Sequence, residues 1–270
     1  MIKRLRFRQI KLEVEQAVNE AFEQAKANQT NDDFYLFLCI AQYVESFKTS
    51  GKNPHVIDYR LDGRQDELRL STLIEYINHY YSFDGANTVD SGFSLTLELM
   101  IYTHMWESKP LLKQLKRLVD LTESNRYNWD IQVPDMSKHG FIREEIRDKL
   151  KGQNLKLHEV ISKGYHSQLR NAFAHSDYFI SLEETNIVLL NYNEPSWQIP
   201  SITLDDWTER FCYTFLLSFY LHNKFQEEKS ALSSGDYYVK LKDNDGNEQN
   251  GIITYNIEID SFSGRIIPPT

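Results

Sequence analysis

The chain has 270 residues, 41% hydrophobic and 13% aromatic, which is ample for a globular core and excludes a disordered chain. A formal net charge of −9 excludes a general nucleic-acid binder that relies on many phosphate contacts, while leaving room for a small cleft of local positive charge. Cys39 and Cys212 sit in apolar helical runs and read as buried thiols of a reducing compartment. The N-terminus lacks an apolar leader and the run 211–221 is too short to span a bilayer, so a soluble, cytoplasmic protein without membrane contact is expected.

Helical periodicity begins at residues 8–28, where Ile10, Val14, Ala17, Val18, Ala21 and Phe22 recur on one stripe. Asn28, Thr30 and Asn31 read as a break. A second helix, 34–47, opens on Asp32 and Asp33 and is apolar on most sides, so the two are expected to form a helical hairpin. Residues 49–63 carry Gly51, Pro54 and Gly63 and read as a loop with a short strand at 55–61. A helix follows at 66–81, then a loop at 84–92 with Ser91 as N-cap of a helix at 93–107, and Pro110 opens a helix reaching Glu123. His104 has no second ligand at a metal spacing and reads as a packing residue.

Residues 124–134 read as a surface loop, in which Tyr127 and Trp129 could alternatively offer faces for base stacking. A charged helix is expected at 135–151, with Phe141, Ile142, Ile146 and Leu150 inward, and a further helix at 155–176. Two β-rich runs, 178–182 and 187–192, read as a hairpin between helices. Thr203, with Asp205 and Asp206 behind it, caps a long helix to about residue 226, expected to lie against the 155–176 helix. Alternating strands at 236–242 and 252–259 close the chain around a turn at Asp245 and Gly246. Lys and Arg clusters at 3–11, 109–117 and 143–156 read as solvated helix faces. There is no internal repeat, P-loop, dinucleotide fingerprint or paired-cysteine metal motif, and no cofactor or metal is implied.

The chemistry concentrates in residues 165–178, YHSQLRNAFAHSDY. On an ideal helix at about 100° per residue, Tyr165, Leu169, Ala172 and Phe173 form an apolar stripe, while Ser167, Arg170, Asn171, Ala174 and His175 share the polar arc. A guanidinium to stabilise phosphorane charge and an imidazole to move protons near neutral pH are sufficient for metal-independent RNA cleavage. Asn171, one turn before His175, would orient the imidazole or the scissile phosphate.

The run Arg170-Asn171-Ala172-Phe173-Ala174-His175, ending a helix just before a hairpin, resembles the signature of the HEPN superfamily; the likeness covers about residues 150–225. It implies a mainly α fold, a HEPN-like helical bundle with an inserted β-hairpin and, in this chain, a small C-terminal β element. The corresponding division is an N-terminal helical region 1–130, a HEPN-like core 131–230 and a β extension 231–270. For function it implies an endoribonuclease that uses ribose 2′-hydroxyl attack to leave 2′,3′-cyclic phosphate ends. Arg170, Asn171 and His175 would be catalytic, with Ser167, His166 and Tyr178 as substrate contacts. Such enzymes serve as toxins or in phage defence under a regulatory or antitoxin partner.

Arg170 and His175 lie about 140° apart on a helix, so one copy aims them at different parts of space and a homodimer would gather both pairs at one cleft. The same residues also admit structural roles: Arg170 pairing with Asp177 or a nearby Glu, Asn171 capping a loop, His175 ending a helix at its negative pole. On that reading the chain is a dimerising adaptor that binds a protein or nucleotide partner.

Overall fold

The computed structural model describes residues 2–28, 32–81, 92–193, 196–233 and 235–267, excepting the side chains of 62–67. The chain is mainly helical, with small antiparallel sheets. Its spine is a pair of long helices, α1 (Arg4–Ala27) and α11 (Leu204–Ser230), which pack on each other and both against α9 (Leu157–Gly164). The stripe read from the sequence is the buried one: Ile10, Val14, Ala17, Val18, Ala21 and Phe22 are all fully buried. Helix α6 (Lys109–Thr122) flanks α1, and α5 (Gly92–Glu107) joins α11 to α10 (Ser167–His175).

The second expected helix is cut short. α2 (Asp33–Leu38) ends where Ile40 turns left-handed at φ 49°, and the chain then runs into β1 (Gln42–Tyr43), the short α3 (Glu45–Thr49) and β2 (His55–Val56). Competing bonds explain the break. The Ala41 carbonyl accepts from the Tyr127 hydroxyl at 2.5 Å, and the Tyr43 N–H donates to the Trp129 carbonyl at 2.9 Å. Residues 124–134 are therefore not a surface loop, because Tyr127, Trp129, Ile131 and Val133 are buried. The buried Asp33 carboxylate holds the loop's start through the Arg126 Nε and the Tyr127 N–H, at 3.0 and 2.8 Å.

Helix α4 begins at Arg60, earlier than the pattern suggested, and runs to Tyr80, while the strand expected at 55–61 is only β2. The expected Thr30–Asn31 break, the loop at 84–92 and its Ser91 cap fall largely or wholly outside the described residues, and α5 is seen from Gly92. Ser108 caps α6 by accepting from the Leu111 N–H, with Pro110 in the first turn. The 135–151 helix is one rod in three parts: α7 (Lys138–Gly140), a π-helical stretch over Phe141–Arg147, and α8 (Asp148–Gly152). Ile142, Ile146 and Leu150 face inward as expected.

Both β elements have one strand more than the sequence indicated. β3 (Tyr178–Ser181) and β4 (Asn186–Leu189) form the hairpin, and β5 (Ser201–Thr203) adds to it before Thr203 caps α11 through the Asp206 N–H at 3.1 Å. In the C-terminal meander, β6 (Gly235–Lys242), β7 (Glu248–Asn256) and β8 (Ser261–Ile266), Gly251 is where two strands close up. A Cβ there would lie 2.5 Å from a Leu241 methyl and 3.0 Å from the Arg265 carbonyl oxygen. Gly246 takes the turn at φ 87°. One apolar core runs through helices and meander alike, joined by Tyr35 against Tyr237 and Phe37 against Phe225.

Inside that core Glu98, 5% exposed, accepts from the Tyr81 hydroxyl at 2.6 Å, the Tyr76 hydroxyl at 3.2 Å and the Trp207 indole N–H at 2.8 Å. Burial first, and then the Glu98 charge, push Tyr81 well above the usual phenol range, so it remains a donor. Glu98→Ala would leave the Tyr81 hydroxyl and the Trp207 indole without this acceptor, while Tyr76 keeps the Ser94 carbonyl at 3.1 Å, and should lower unfolding free energy in urea by on the order of 2 to 4 kcal/mol. Glu98→Gln, which keeps an acceptor, should cost less than half as much.

Candidate active site at helix α10

The helix expected at 155–176 is broken in two, and the break positions everything after it. α9 ends at Gly164, whose missing Cβ would come within 3.1 Å of the Thr214 Oγ1 and 3.4 Å of the Thr214 backbone nitrogen on α11. The Thr214 hydroxyl donates to the Gly164 carbonyl at 3.2 Å. Tyr165 and His166 then take extended backbone angles, ψ 134° and 119°. Side chains compensate the interrupted helical bonding: Arg210 donates to the Tyr165 carbonyl at 3.2 Å, and the Tyr102 hydroxyl oxygen accepts the His166 N–H at 2.9 Å. The long final helix therefore lies along α9 rather than along one continuous signature helix, reaching α10 through Trp207 against Phe173 at 5.1 Å.

Helix α10 buries Gln168, Leu169, Ala172 and Phe173, so three of the four stripe residues face the core as expected. Tyr165, the fourth, precedes the helix. Phe173 sits edge-on to Tyr102 at 5.9 Å and to Tyr178 at 5.2 Å. Gln168 is 2% exposed and acts as a clamp: its amide donates to the Ile199 carbonyl and accepts the Ile199 N–H, both at 2.9 Å, while Asn191 donates to the Gln168 carbonyl at 3.1 Å.

Arg170 is half-buried and ion-paired. Its Nη1 lies 2.7 Å from one Glu107 oxygen, and the other Glu107 oxygen accepts from the Lys138 Nζ at 2.5 Å. The structural pairing with a nearby Glu is thus present, from the end of α5 and not from Asp177. Tyr165 completes the cluster. Burial raises its hydroxyl pKa, opposed by the Arg170 and Arg143 charges beside it. The Tyr165 hydroxyl and the Arg170 Nε are both buried atoms without a hydrogen-bond partner, two polar groups at one spot. Two cations, Arg170 and Lys138, share the single Glu107 carboxylate, so this small region carries local positive charge in an acidic chain.

His175 is the last residue of α10 and is exposed, as are Ala174 and Ser176. Ser176 turns left-handed at φ 60°, and the Asp177 N–H returns to the Ala172 carbonyl at 2.8 Å, a Schellman-type ending that turns straight into β3. Asn171 and Ser167 are half-exposed, with no hydrogen bond from either side chain among the described residues. One subunit thus joins Arg170 to Glu107 and Tyr165, and leaves Asn171 half-exposed and His175 exposed, with no hydrogen bond to Arg170 among the described residues. Beside them the hairpin region exposes half or more of Phe179, Leu182, Leu190 and Trp197. Glu107, Lys138 and Gln168 had no sequence signal, because each reaches its partner from a distant segment.

His166 is half-buried, and its pKa is depressed to about 4, first by burial and then by the Arg210 charge. It is neutral at pH 7, so its role toward a ligand would be hydrogen bonding, not charge. The unfolded chain binds this proton near pH 6.5 and the folded chain near 4, so folding stability falls as pH drops across that interval. His166→Gln should flatten the fall in urea midpoint between pH 6.5 and 4, removing on the order of 2 kcal/mol of pH-dependent loss after allowance for solvent screening.

Among the described residues no group of three or more His, Cys, Asp or Glu side chains could hold a metal ion, and no helix is long and apolar enough to cross a membrane. No protein-family model matches the chain, and no curated protein or solved structure shows a match to it.

Proposed function

We propose that the protein is a HEPN-type endoribonuclease, metal-independent, whose active site forms between two copies of α10. The observation that carries the reading is His175. It is an exposed imidazole at the end of α10, without a hydrogen-bond or ion-pair partner among the described residues, one helical turn from the half-exposed amide of Asn171 and on the same short helix as Arg170. The reading is supported further by the exposed apolar side chains of the adjoining hairpin, which give a second copy a surface on which to bring its own His175 opposite.

In such a cleft one imidazole takes the proton of the ribose 2′-hydroxyl as O2′ bonds to phosphorus. The other, protonated, delivers a proton to the departing 5′-oxygen as the P–O5′ bond breaks. The products are a 2′,3′-cyclic phosphate and a 5′-hydroxyl. Arg170, supported by Lys138 and oriented by Glu107, neutralises charge on the phosphorane oxygens. Asn171 orients the phosphate or the imidazole, and Ser167, His166 and Tyr178 line the approach. Toxin or phage-defence activity under a protein regulator follows from the family resemblance, and action in the cytoplasm fits the free, buried thiols of Cys39 and Cys212.

A second reading is favoured by one contact. The Arg170–Glu107 pair neutralises the guanidinium charge inside the subunit, which suits a non-catalytic dimerising adaptor for a protein or nucleotide partner. RNA cleavage separates the two. The purified protein should run at twice the 31.9 kDa subunit mass in light scattering and degrade single-stranded RNA in EDTA. His175→Ala should lower the rate by about 10²- to 10⁴-fold with an unchanged circular-dichroism spectrum. A fully active monomer would exclude the shared site, and equal behaviour of wild type and His175→Ala would leave the adaptor.

A further inference from the structure

A cavity of about 550 Å³ lies outside the α10 region, between the C-terminal part of α6, residues 125–130, β1, β2 and the end of β6. Its size is within the range of small-molecule sites. One wall is aromatic: the His55 ring stands edge-on to Trp129 at 5.5 Å and to Tyr43 at 5.3 Å. The rest of the lining is Tyr127 and polar side chains, with three cations, Lys116, Arg126 and Lys242, against two carboxylates, Asp120 and Asp130. Lys116 is held by Asp120 and lies 3.7 Å from Glu145, and Arg126 bridges Asp33 and Glu248. Lys242 has no ion-pair partner among the described residues, although it faces this cavity in a chain of net charge −9.

The walls are fixed independently of any ligand. Arg117, 4% exposed, donates to Gln42 at 3.3 Å and lies over the Tyr127 ring at 5.5 Å. The Asn53 amide donates to the Lys242 carbonyl at 2.9 Å, which fastens the end of β6 beside β2. His55 Nδ1 lies 3.0 Å from the Asp243 carbonyl oxygen, which can only accept. Nδ1 therefore carries the proton and, in the neutral ring, Nε2 is left as an acceptor. Asn128 uses its carbonyl for the Asp130 N–H at 3.0 Å, which leaves its amide donors for another partner. A flat ring system, an acceptor, amide donors and an unpaired ammonium around one preformed volume make up the recognition chemistry of a base joined to a phosphate.

We propose that this cavity binds a nucleoside monophosphate unit, with the base against the Tyr43–His55–Trp129 wall and the phosphate at Lys242, flanked by Lys116 and Arg126. The unit could be a free nucleotide or one residue of an RNA strand. The inference does not depend on the ribonuclease reading, since none of these residues belongs to α10.

The test is a titration of the full chain, followed by Trp fluorescence and calorimetry, with each of the four ribonucleoside monophosphates, the four nucleosides, inorganic phosphate and a single-stranded RNA hexamer. At least one monophosphate or the hexamer should saturate at one site, at least tenfold tighter than nucleoside or phosphate alone. Lys242→Ser and Asn128→Ala, which leave the aromatic wall intact, should each weaken it severalfold, with an unchanged melting temperature of the unliganded protein. Saturation by monophosphates identifies a free nucleotide; saturation by the hexamer alone, lost in Lys242→Ser, identifies a strand-docking site. Phosphate binding as tightly as nucleotide, binding indifferent to Lys242→Ser, or no saturation by any monophosphate or the hexamer up to about 5 mM would each overturn the proposal. His175→Ala should titrate like wild type, so loss of RNA cleavage and loss of this site are read separately.

Discussion

The structure turns on a two-residue interruption at Tyr165 and His166. A continuous helix would have carried Arg170 and His175 along the axis of α9, which packs on α1 and α11. Gly164 pressed against Thr214 blocks that course, and the Tyr102 hydroxyl and the Arg210 guanidinium take up the backbone groups left over. α10 therefore departs toward α5 and presents its polar arc at the edge of the bundle. The cost of interrupting the helix is offset by hydrogen bonds that all come from other helices, so α10 keeps its direction only while α5 and α11 keep theirs.

Electrostatics then divides α10 along its length. Near its start, Arg170 is drawn to a carboxylate that it shares with Lys138, in a half-buried place where an uncompensated guanidinium would be expensive. At its end, His175 has no such tether and meets solvent at the negative pole of the helix. A guanidinium fixed by its surroundings and an imidazole free to turn is a division of labour compatible with both readings of the helix. It also explains why the two side chains do not meet within one subunit.

Much of this organisation was legible in the sequence, for identifiable reasons. The stripes of α1 and α11 are long and strongly periodic, and the Thr203 cap with acidic residues behind it is a local signal that survives folding unchanged. What failed was decided at a distance. α2 ends early because Tyr127 and Trp129, nearly ninety residues on, claim the backbone of Ala41 and Tyr43. The same pairing buries a loop whose polar composition suggested exposure. The α9–α10 break carried one local signal, Gly164, a poor helix former at the last position of α9, and is completed at a distance by Thr214 and Arg210. The third strand of each sheet was missed because β5 is short and β8 is largely exposed, so neither carries the buried alternation that marks a strand.

The π-helical stretch Phe141–Arg147 gives the rod that carries it an unusual dependence on length. A wider turn accommodates one residue more than an α-helix of the same rise, so the two ends of the rod are held in a phase that ordinary α-geometry would not give. Lys138 at one end meets Glu107, Glu145 within the stretch approaches Lys116, and Leu150 at the other end is in the core. Winding the same residues as plain α-helix would rotate one end by roughly 100° relative to the other, about the turn of one residue. Lys138 would then swing off the carboxylate that steadies Arg170, so the wide turn of this segment helps set the charge beside α10.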